Sequence, residues 1–90
     1  MSVNYKLTNT LPSDEFKKVC IEMEWEVNVK DNTQLLLTKD KRNVVFHLNE
    51  LKEVYGFRHQ GEGFNNVMDL IGKFDTKVIS EYEEDFHDLS

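Results

Sequence analysis

The residues that could carry covalent or metal chemistry are one cysteine, Cys20, and three histidines, His47, His59 and His87. No two of the four are three or four positions apart, so the ligand spacing of a helical zinc site is absent. Cys20 falls on the apolar face of a predicted helix, where a cysteine behaves as a small hydrophobe rather than a nucleophile. The sequence therefore predicts a non-enzymatic protein without a metal ion or cofactor.

The segment Gly61-Glu62-Gly63 is glycine-rich but lacks the further glycine and the lysine of a phosphate-binding loop. It is interpreted as a flexible loop before a helix.

Basic residues gather at a predicted hairpin tip. Lys39, Lys41 and Arg42 surround Asp40 there, and Arg58 follows later in the chain. Such a tip could contact a phosphate backbone with modest, salt-sensitive affinity. The competing interpretation is a solvated tip that protects a sheet edge. Direct nucleic-acid binding through these four residues is kept as an alternative function.

Polar and apolar residues alternate from Ile21 to Val29, and the polar positions include Glu22, Glu24 and Glu26. On one face of a strand these carboxylates would stand about 6.7 Å apart, similar to the spacing of successive phosphates. A solvated sheet face is the competing interpretation. Near the C-terminus, acidic residues surround Tyr82 and Phe86, as at an interface. The predicted protein-binding residues are Glu22, Glu24, Glu26, Leu36, His47, Glu81, Glu83, Glu84 and Asp85.

The elements that position these residues follow from periodicity. Alternation from Val3 to Leu7 predicts a strand, and residues 8–12 a turn. Ser13 is predicted to cap a helix over about 13–21, which changes to strand by about Met23. Met23 fits both periods, so a single helix to about residue 27 is the alternative.

Two further strands cover 34–39 and 44–48. A tip with Asp40 opposite Asn43 pairs Leu37 with Phe46 and Leu35 with Leu48. These strands and the alternating run form a three-stranded meander, whose second face carries Leu36, Val45 and His47.

The second half is predicted to be mostly helical. Asn49 caps a short helix that stops at Gly56, a loop spans 57–63, and a helix covers 64–73. Asp75 caps a last helix with Tyr82 and Phe86 inward, and a strand over 77–82 is the alternative.

Together these elements predict a single domain over residues 1–90. It has an α+β fold with three or four antiparallel strands in a meander and two or three helices mainly on one face. The predicted core residues are Phe16, Val19, Trp25, Val27, Leu35, Leu37, Phe46, Leu48, Phe64, Val67, Met68 and Ile71.

The charge balance limits the class of partner. Seventeen acidic residues against eleven lysines and arginines give a net charge of -6. This charge disfavours anionic membranes and non-specific nucleic-acid binding, and it favours a basic protein as partner. No signal peptide or membrane span is visible, so a cytoplasmic location is expected. The absence of alanine, with abundant lysine and asparagine, suggests a low-GC bacterium or its phage.

In size and charge the chain resembles small acidic inhibitors of nucleic-acid-processing proteins, such as phage nucleic-acid mimics, immunity proteins and antitoxins. That resemblance implies an inhibitor or regulator that binds the basic, nucleic-acid-binding surface of another protein. A homo-oligomeric assembly subunit, closed through its exposed sheet face, is a further alternative.

Overall fold

The structure is a computed structural model that describes the backbone of residues 3–83 and the side chains of residues 3–79. It contains six strands and two helices within that range. Their bounds are β1 Val3–Pro12, α1 Ser13–Glu22, β2 Glu26–Asp31, β3 Gln34–Lys39, β4 Arg42–Leu48, β5 Glu53–His59, α2 Phe64–Ile71 and β6 Val78–Glu83.

All six strands join one antiparallel sheet in the order β2-β3-β4-β5-β1-β6. The predicted α+β class is confirmed, and the sheet is larger than the three or four strands expected. The β2-β3-β4 meander is the predicted one, extended by β5. The first strand then lies between β5 and β6, so the two ends of the described chain pair with each other.

Both helices pack on the same face of the sheet. In α1, Phe16 and Cys20 are fully buried. In α2, Leu70 is fully buried, and Val67 and Ile71 are almost fully buried. Most of the predicted core residues are buried, and Val19, Val27, Phe64 and Met68 are half-buried. The buried apolar residues that the sequence did not predict as core are Leu7, Leu11, Cys20, Val44, Val54, Phe57 and Leu70.

Aromatic rings connect the helices to the sheet. Phe16 meets Phe46 with ring centroids 4.7 Å apart, and Tyr5 meets Phe57 at 4.9 Å and Phe64 at 5.1 Å. Tilted and offset ring pairs of this kind add to the stabilisation that burial provides. The core therefore joins α1 and α2 to the middle strands of the sheet.

The two-residue turn of the β3–β4 hairpin lies one residue earlier in the chain than predicted, at Asp40-Lys41 rather than Lys41-Arg42. Asp40 and Lys41 both have positive φ, 51° and 66°, and Lys39 pairs with Arg42. Two central residues with positive φ make a turn whose twist matches that of the strands. The predicted pairing is therefore wrong by two residues. Leu37 lies opposite Val44 and Leu35 opposite Phe46. A shift of two preserves the faces, so the predicted core side is correct.

The boundary between α1 and β2 also differs from the prediction. The helix continues to Glu22, and Glu24 has a φ of 69°, which interrupts any strand. The backbone N–H of Trp25 donates to the carbonyl of Cys20 at 2.9 Å, closing the helix end, and Trp25 is buried. The strand begins only at Glu26, so both the early strand and the single long helix are wrong.

The predicted helix after Asn49 is wrong. The side-chain oxygen of Asn49 accepts from the backbone N–H groups of Leu51 and Glu53, at 2.9 Å each, and so holds a turn. Leu51 is 77% exposed and does not supply an apolar helix face. Gly56 lies within β5 rather than at a helix end, and the predicted loop begins only after His59.

The remaining differences concern the chain on either side of β5. Residues 8–12 belong to β1 rather than to a turn, and α1 has no side-chain cap from Ser13. Helix α2 is confirmed over Phe64–Ile71. The last helix predicted from Asp75 is wrong as far as residue 83, where the alternative strand, β6, is found. Its continuation to Phe86 lies outside the described residues.

Candidate functional site

The sheet has a face that no described helix covers. We call it the outer face. Its central row crosses the sheet through Asn28, Leu36, Val45, Arg58 and Asn4, which are opposite one another in register. Leu36 and Val45 are half-buried in the middle of that row. The outer face thus has an apolar centre within a polar surround.

A second row crosses the outer face through Gln34, His47, Gly56 and Lys6. His47 Nε2 donates to Oδ1 of Asn4 at 2.9 Å, although β5 lies between their strands. Gly56 presents no side chain in this gap, so the imidazole can reach across. Asn4 is only 2% exposed. Because a buried amide needs hydrogen-bond partners, this bond helps to fix the position of His47.

Tyr55 extends this group of side chains. Its ring centroid lies 5.9 Å from that of His47, in a tilted arrangement. Tyr55 occupies the register shift of β5, between the pairs that Val54 and Gly56 make with β4. A bulge of this kind re-aims a side chain, which accounts for the position of the tyrosine beside His47.

The structure separates the glutamates that the sequence placed on one strand. Glu22 ends α1, Glu24 occupies the turn, and only Glu26 lies on the outer face, opposite Thr38. The predicted glutamate stripe is therefore wrong as geometry. The reason is that helical hydrogen bonding persists through residue 22, and alternation has structural meaning only on a strand.

Two of the other predicted protein-binding residues, Leu36 and His47, lie together on the outer face, as expected. Two more belong to β6, where Glu81 pairs with Tyr5 and Glu83 with Val3 of β1. Glu84 and Asp85, like Phe86 and Asp88, lie outside the described residues.

The four basic residues of the alternative site are not brought together. Lys39 donates from Nζ to the carbonyl of Met23 at 2.9 Å and lies 5.7 Å from the ring centroid of Trp25. Arg58 is on the outer face of β5, while Lys41 and Arg42 are at the turn. Only two cations remain at the tip, so the geometry weakens the case for nucleic-acid binding, which stays a prediction.

The hairpin tip instead meets the loop before α2. Arg42 Nη2 lies 3.8 Å from Glu62 Oε2, and a Cβ on Gly63 would approach Arg42 Cδ to 2.5 Å. Gly63 has a φ of 90°, which favours glycine. An exposed ion pair this long stabilises little. The basic hairpin tip and the Gly61-Glu62-Gly63 loop are therefore neighbours, and the charges of Arg42 and Glu62 offset each other.

Cys20 and His59 are both buried and pack within the fold. Burial raises the pKa of the Cys20 thiol from 9.0 to about 12, against a smaller lowering by a backbone hydrogen bond. His59 hydrogen-bonds the carbonyl of Glu62 at 3.2 Å and packs edge-on against Phe64. Within the described part of the chain, no three His, Cys, Asp or Glu residues group closely enough to hold a metal ion.

Charge is distributed unevenly along the chain. Residues 1–79 contain twelve acidic residues and all eleven lysines and arginines, whereas residues 80–90 contain five acidic residues and no lysine or arginine. The net negative charge is therefore almost entirely a property of the last eleven residues. They begin in β6, which pairs with β1 beside the outer-face residues Asn4 and Lys6.

Comparison with known proteins finds no matching protein family, no matching curated protein and no matching solved structure. Neither of the helices within residues 3–83 has the length and apolarity needed to cross a lipid bilayer.

Sequence reasoning missed the contributions of Asn4, Tyr55 and Arg58 to the outer face. The alternation of Val3, Tyr5 and Leu7 with Asn4 and Lys6 does predict that the two polar residues share one face of a strand. Local periodicity does not predict that this strand lies between β5 and β6.

Proposed function

We propose that this protein is a small acidic, non-enzymatic binding protein that engages a basic surface of another protein. The contact is made by the outer face together with the acidic C-terminal residues 80–90. The observation that carries the proposal is the placement of both helices on one side of the sheet, which leaves the apolar centre of the outer face open among the described residues.

The outer face has the composition of a contact surface. Leu36 and Val45 lie side by side at its centre. Arg58 is opposite Val45, and the other polar neighbours are Asn28, Gln34, Thr38 and His47. An apolar centre with a polar rim is the usual anatomy of a protein interface. Strands in the middle of an antiparallel sheet can also face water, but they then favour polar residues at such positions.

The acidic residues supply attraction at longer range. Five acids within residues 80–90 give this part of the sequence a concentrated negative charge. Such a field raises the rate at which a basic partner associates, while buried apolar contacts slow its release. The two features have separate roles and can be tested separately.

The class of partner follows from these charges. A basic surface on a protein is commonly one that binds nucleic acid. The proposed role is therefore inhibition or regulation of a nucleic-acid-processing protein, by occupation of its basic surface.

The apolar part of the proposal is tested with Leu36→Thr and Val45→Thr. Threonine is β-branched, which suits a strand, and it removes apolar contact area at both positions. With the partner isolated by affinity capture and purified, the double variant should bind at least tenfold more weakly, about 1.4 kcal/mol. Ile21→Thr is the matched control, because Ile21 is 65% exposed on α1. Equal binding by the wild type and the double variant would contradict the proposal.

The electrostatic part is tested by neutralising Glu81, Glu83, Glu84, Asp85 and Asp88 as their amides. The association rate should fall and lose most of its dependence on salt. The matched control neutralises the same number of exposed acids elsewhere, namely Asp14, Glu15, Glu50, Asp69 and Asp75. If both sets reduce the rate equally, net charge rather than the C-terminal segment is responsible.

A further inference from the structure

We propose that two copies of this chain pair edge to edge through β2 and form a twofold-symmetric dimer. The strands run antiparallel, with Glu26 of each copy opposite Lys30 of the other and the two Asn28 residues facing each other on the axis. This inference does not rest on the proposed partner, since it concerns the exposed edge of β2 rather than the face of the sheet.

Strand β2 is an open edge within residues 3–83. It pairs with β3 on one side and with no described strand on the other. Every residue of β2 except Val27 is exposed, and Val29 is 64% exposed although its side lies with the core. An edge strand offers unpaired backbone groups to any chain that can align with it. Val29 adds a solvent-exposed apolar side chain to this edge.

The sequence of β2 is complementary to itself in one antiparallel register. With Asn28 opposite Asn28, Val27 lies opposite Val29, and each Glu26 lies opposite a Lys30. Directly opposite residues share a face, so apolar side chains meet on the helix side and opposite charges meet on the outer side. The register shift between Val29 and Asp31 leaves Lys30 without a partner on β3, so the regular part of the edge is Glu26 to Val29 and Lys30 lies at its end.

Neighbouring registers are less favourable. A shift that centres Val27 or Val29 on the axis removes both Glu26–Lys30 pairs. The other edge within residues 3–83 is β6, whose two charged residues, Glu81 and Glu83, are both acidic, so the strand itself contains no base to match against the acid of a second copy. Charge complementarity therefore selects a second copy at β2 as the partner of that edge.

The proposed pairing has a consequence for the outer face. A twofold axis perpendicular to the sheet keeps both pairs of helices on one side and joins the two six-stranded sheets. The outer faces of the two copies then form one continuous surface twice as wide.

Cysteine cross-linking tests the register directly. In Asn28→Cys the introduced cysteines would be opposite each other, within the distance that a disulfide spans. In Glu26→Cys the two cysteines would be about 13 Å apart, too far to join. We expect covalent dimer from the first variant and none from the second, under the same mild oxidation. An equal mixture of Glu26→Cys and Lys30→Cys should cross-link again. The native Cys20 is buried and common to all variants.

Charge exchange tests the energetic basis by sedimentation equilibrium. Glu26→Lys alone and Lys30→Glu alone should each weaken dimerisation at least tenfold, because both create repelling pairs. The double exchange within one chain should restore dimerisation, and mixing the two single variants should give a heterodimer. Circular dichroism checks that each variant is folded. A monomer at every concentration, or a dimer without the Asn28→Cys cross-link, would overturn the proposal, and the second result would indicate a different interface.

Discussion

At the scale of single residues, Cys20 shows how burial decides chemistry. Its side chain is fully buried on the inner side of α1, and desolvation of the thiolate raises the pKa of the thiol to about 12. A nucleophilic cysteine requires the opposite conditions, an accessible sulfur and a lowered pKa. The cysteine is therefore a packing residue, in accordance with its place in the apolar period of α1.

We predict that native Cys20 is not alkylated by iodoacetamide at pH 8, where an ordinary thiol would be partly ionised. Because the folded-state pKa is raised, the thiolate stays scarce until the pH is far above 9. The reaction should become complete once the chain is unfolded in guanidinium. Mass spectrometry measures both states, and rapid modification of the folded protein would contradict the buried position.

Gly56 is a second residue whose environment predicts the direction in which a substitution changes stability. A Cβ at this position would collide with the carbonyl oxygen of Tyr5 on the neighbouring strand, which is backbone and cannot move aside. Gly56→Ala should therefore lower the free energy of unfolding by about 1–3 kcal/mol. Gly72 is the matched control, because its φ of -63° suits alanine and its Cβ would meet only ordinary contacts.

Gly72→Ala should raise the free energy of unfolding by about 0.4–1 kcal/mol, because alanine restricts the unfolded chain more than glycine does. Urea denaturation measures both variants. Equal effects of the two substitutions would show that β5 does not approach β1 as described.

At the scale of elements, the β2–β3 turn depends on Asp31. Its Oδ1 accepts hydrogen bonds from the hydroxyl and the backbone N–H of Thr33, at 2.7 Å each. These bonds lower the pKa of Asp31 below its ordinary 3.8, and the bond from the Thr33 hydroxyl has the larger effect. A carboxylate with a lowered folded-state pKa stabilises the fold above its unfolded pKa and loses this contribution as the pH falls through the folded value.

We predict that Asp31→Asn removes this pH dependence, since the amide oxygen still accepts hydrogen bonds but carries no charge. The difference in unfolding free energy between the wild type and Asp31→Asn should be constant at neutral pH and shrink below pH 3.8. Other carboxylates titrate in both proteins and cancel in the difference. A difference that grows as the pH falls would contradict the assigned hydrogen bonds.

The elements also show where local sequence is sufficient. Helix α2 has a clear 3.6-residue period, and it forms as predicted. At Met23 two periods overlap, and the outcome is decided by tertiary structure, because the turn at Glu24 allows Trp25 to enter the core. Residues 49–56 have apolar residues at helical spacing, but pairing of β5 with both β4 and β1 overrides that preference.

At the scale of the whole molecule, the order of strands determines the candidate site. The sequence predicts which residues of β3 and β4 share the outer face, and Leu36, Val45 and His47 are found there. It does not predict that β1 pairs with β5, because that contact joins residues 41 to 56 positions apart. Asn4 and Arg58 therefore come together on the outer face only because β1 pairs with β5.

The central claim is that the outer face, and not the helical face, contacts a basic partner. The most direct measurement is the change of backbone amide NMR shifts in the labelled protein when the purified partner is added. The largest changes should lie in the row of Leu36, Val45 and Arg58 and in β6. Changes confined to the exposed surfaces of α1 and α2 would contradict it.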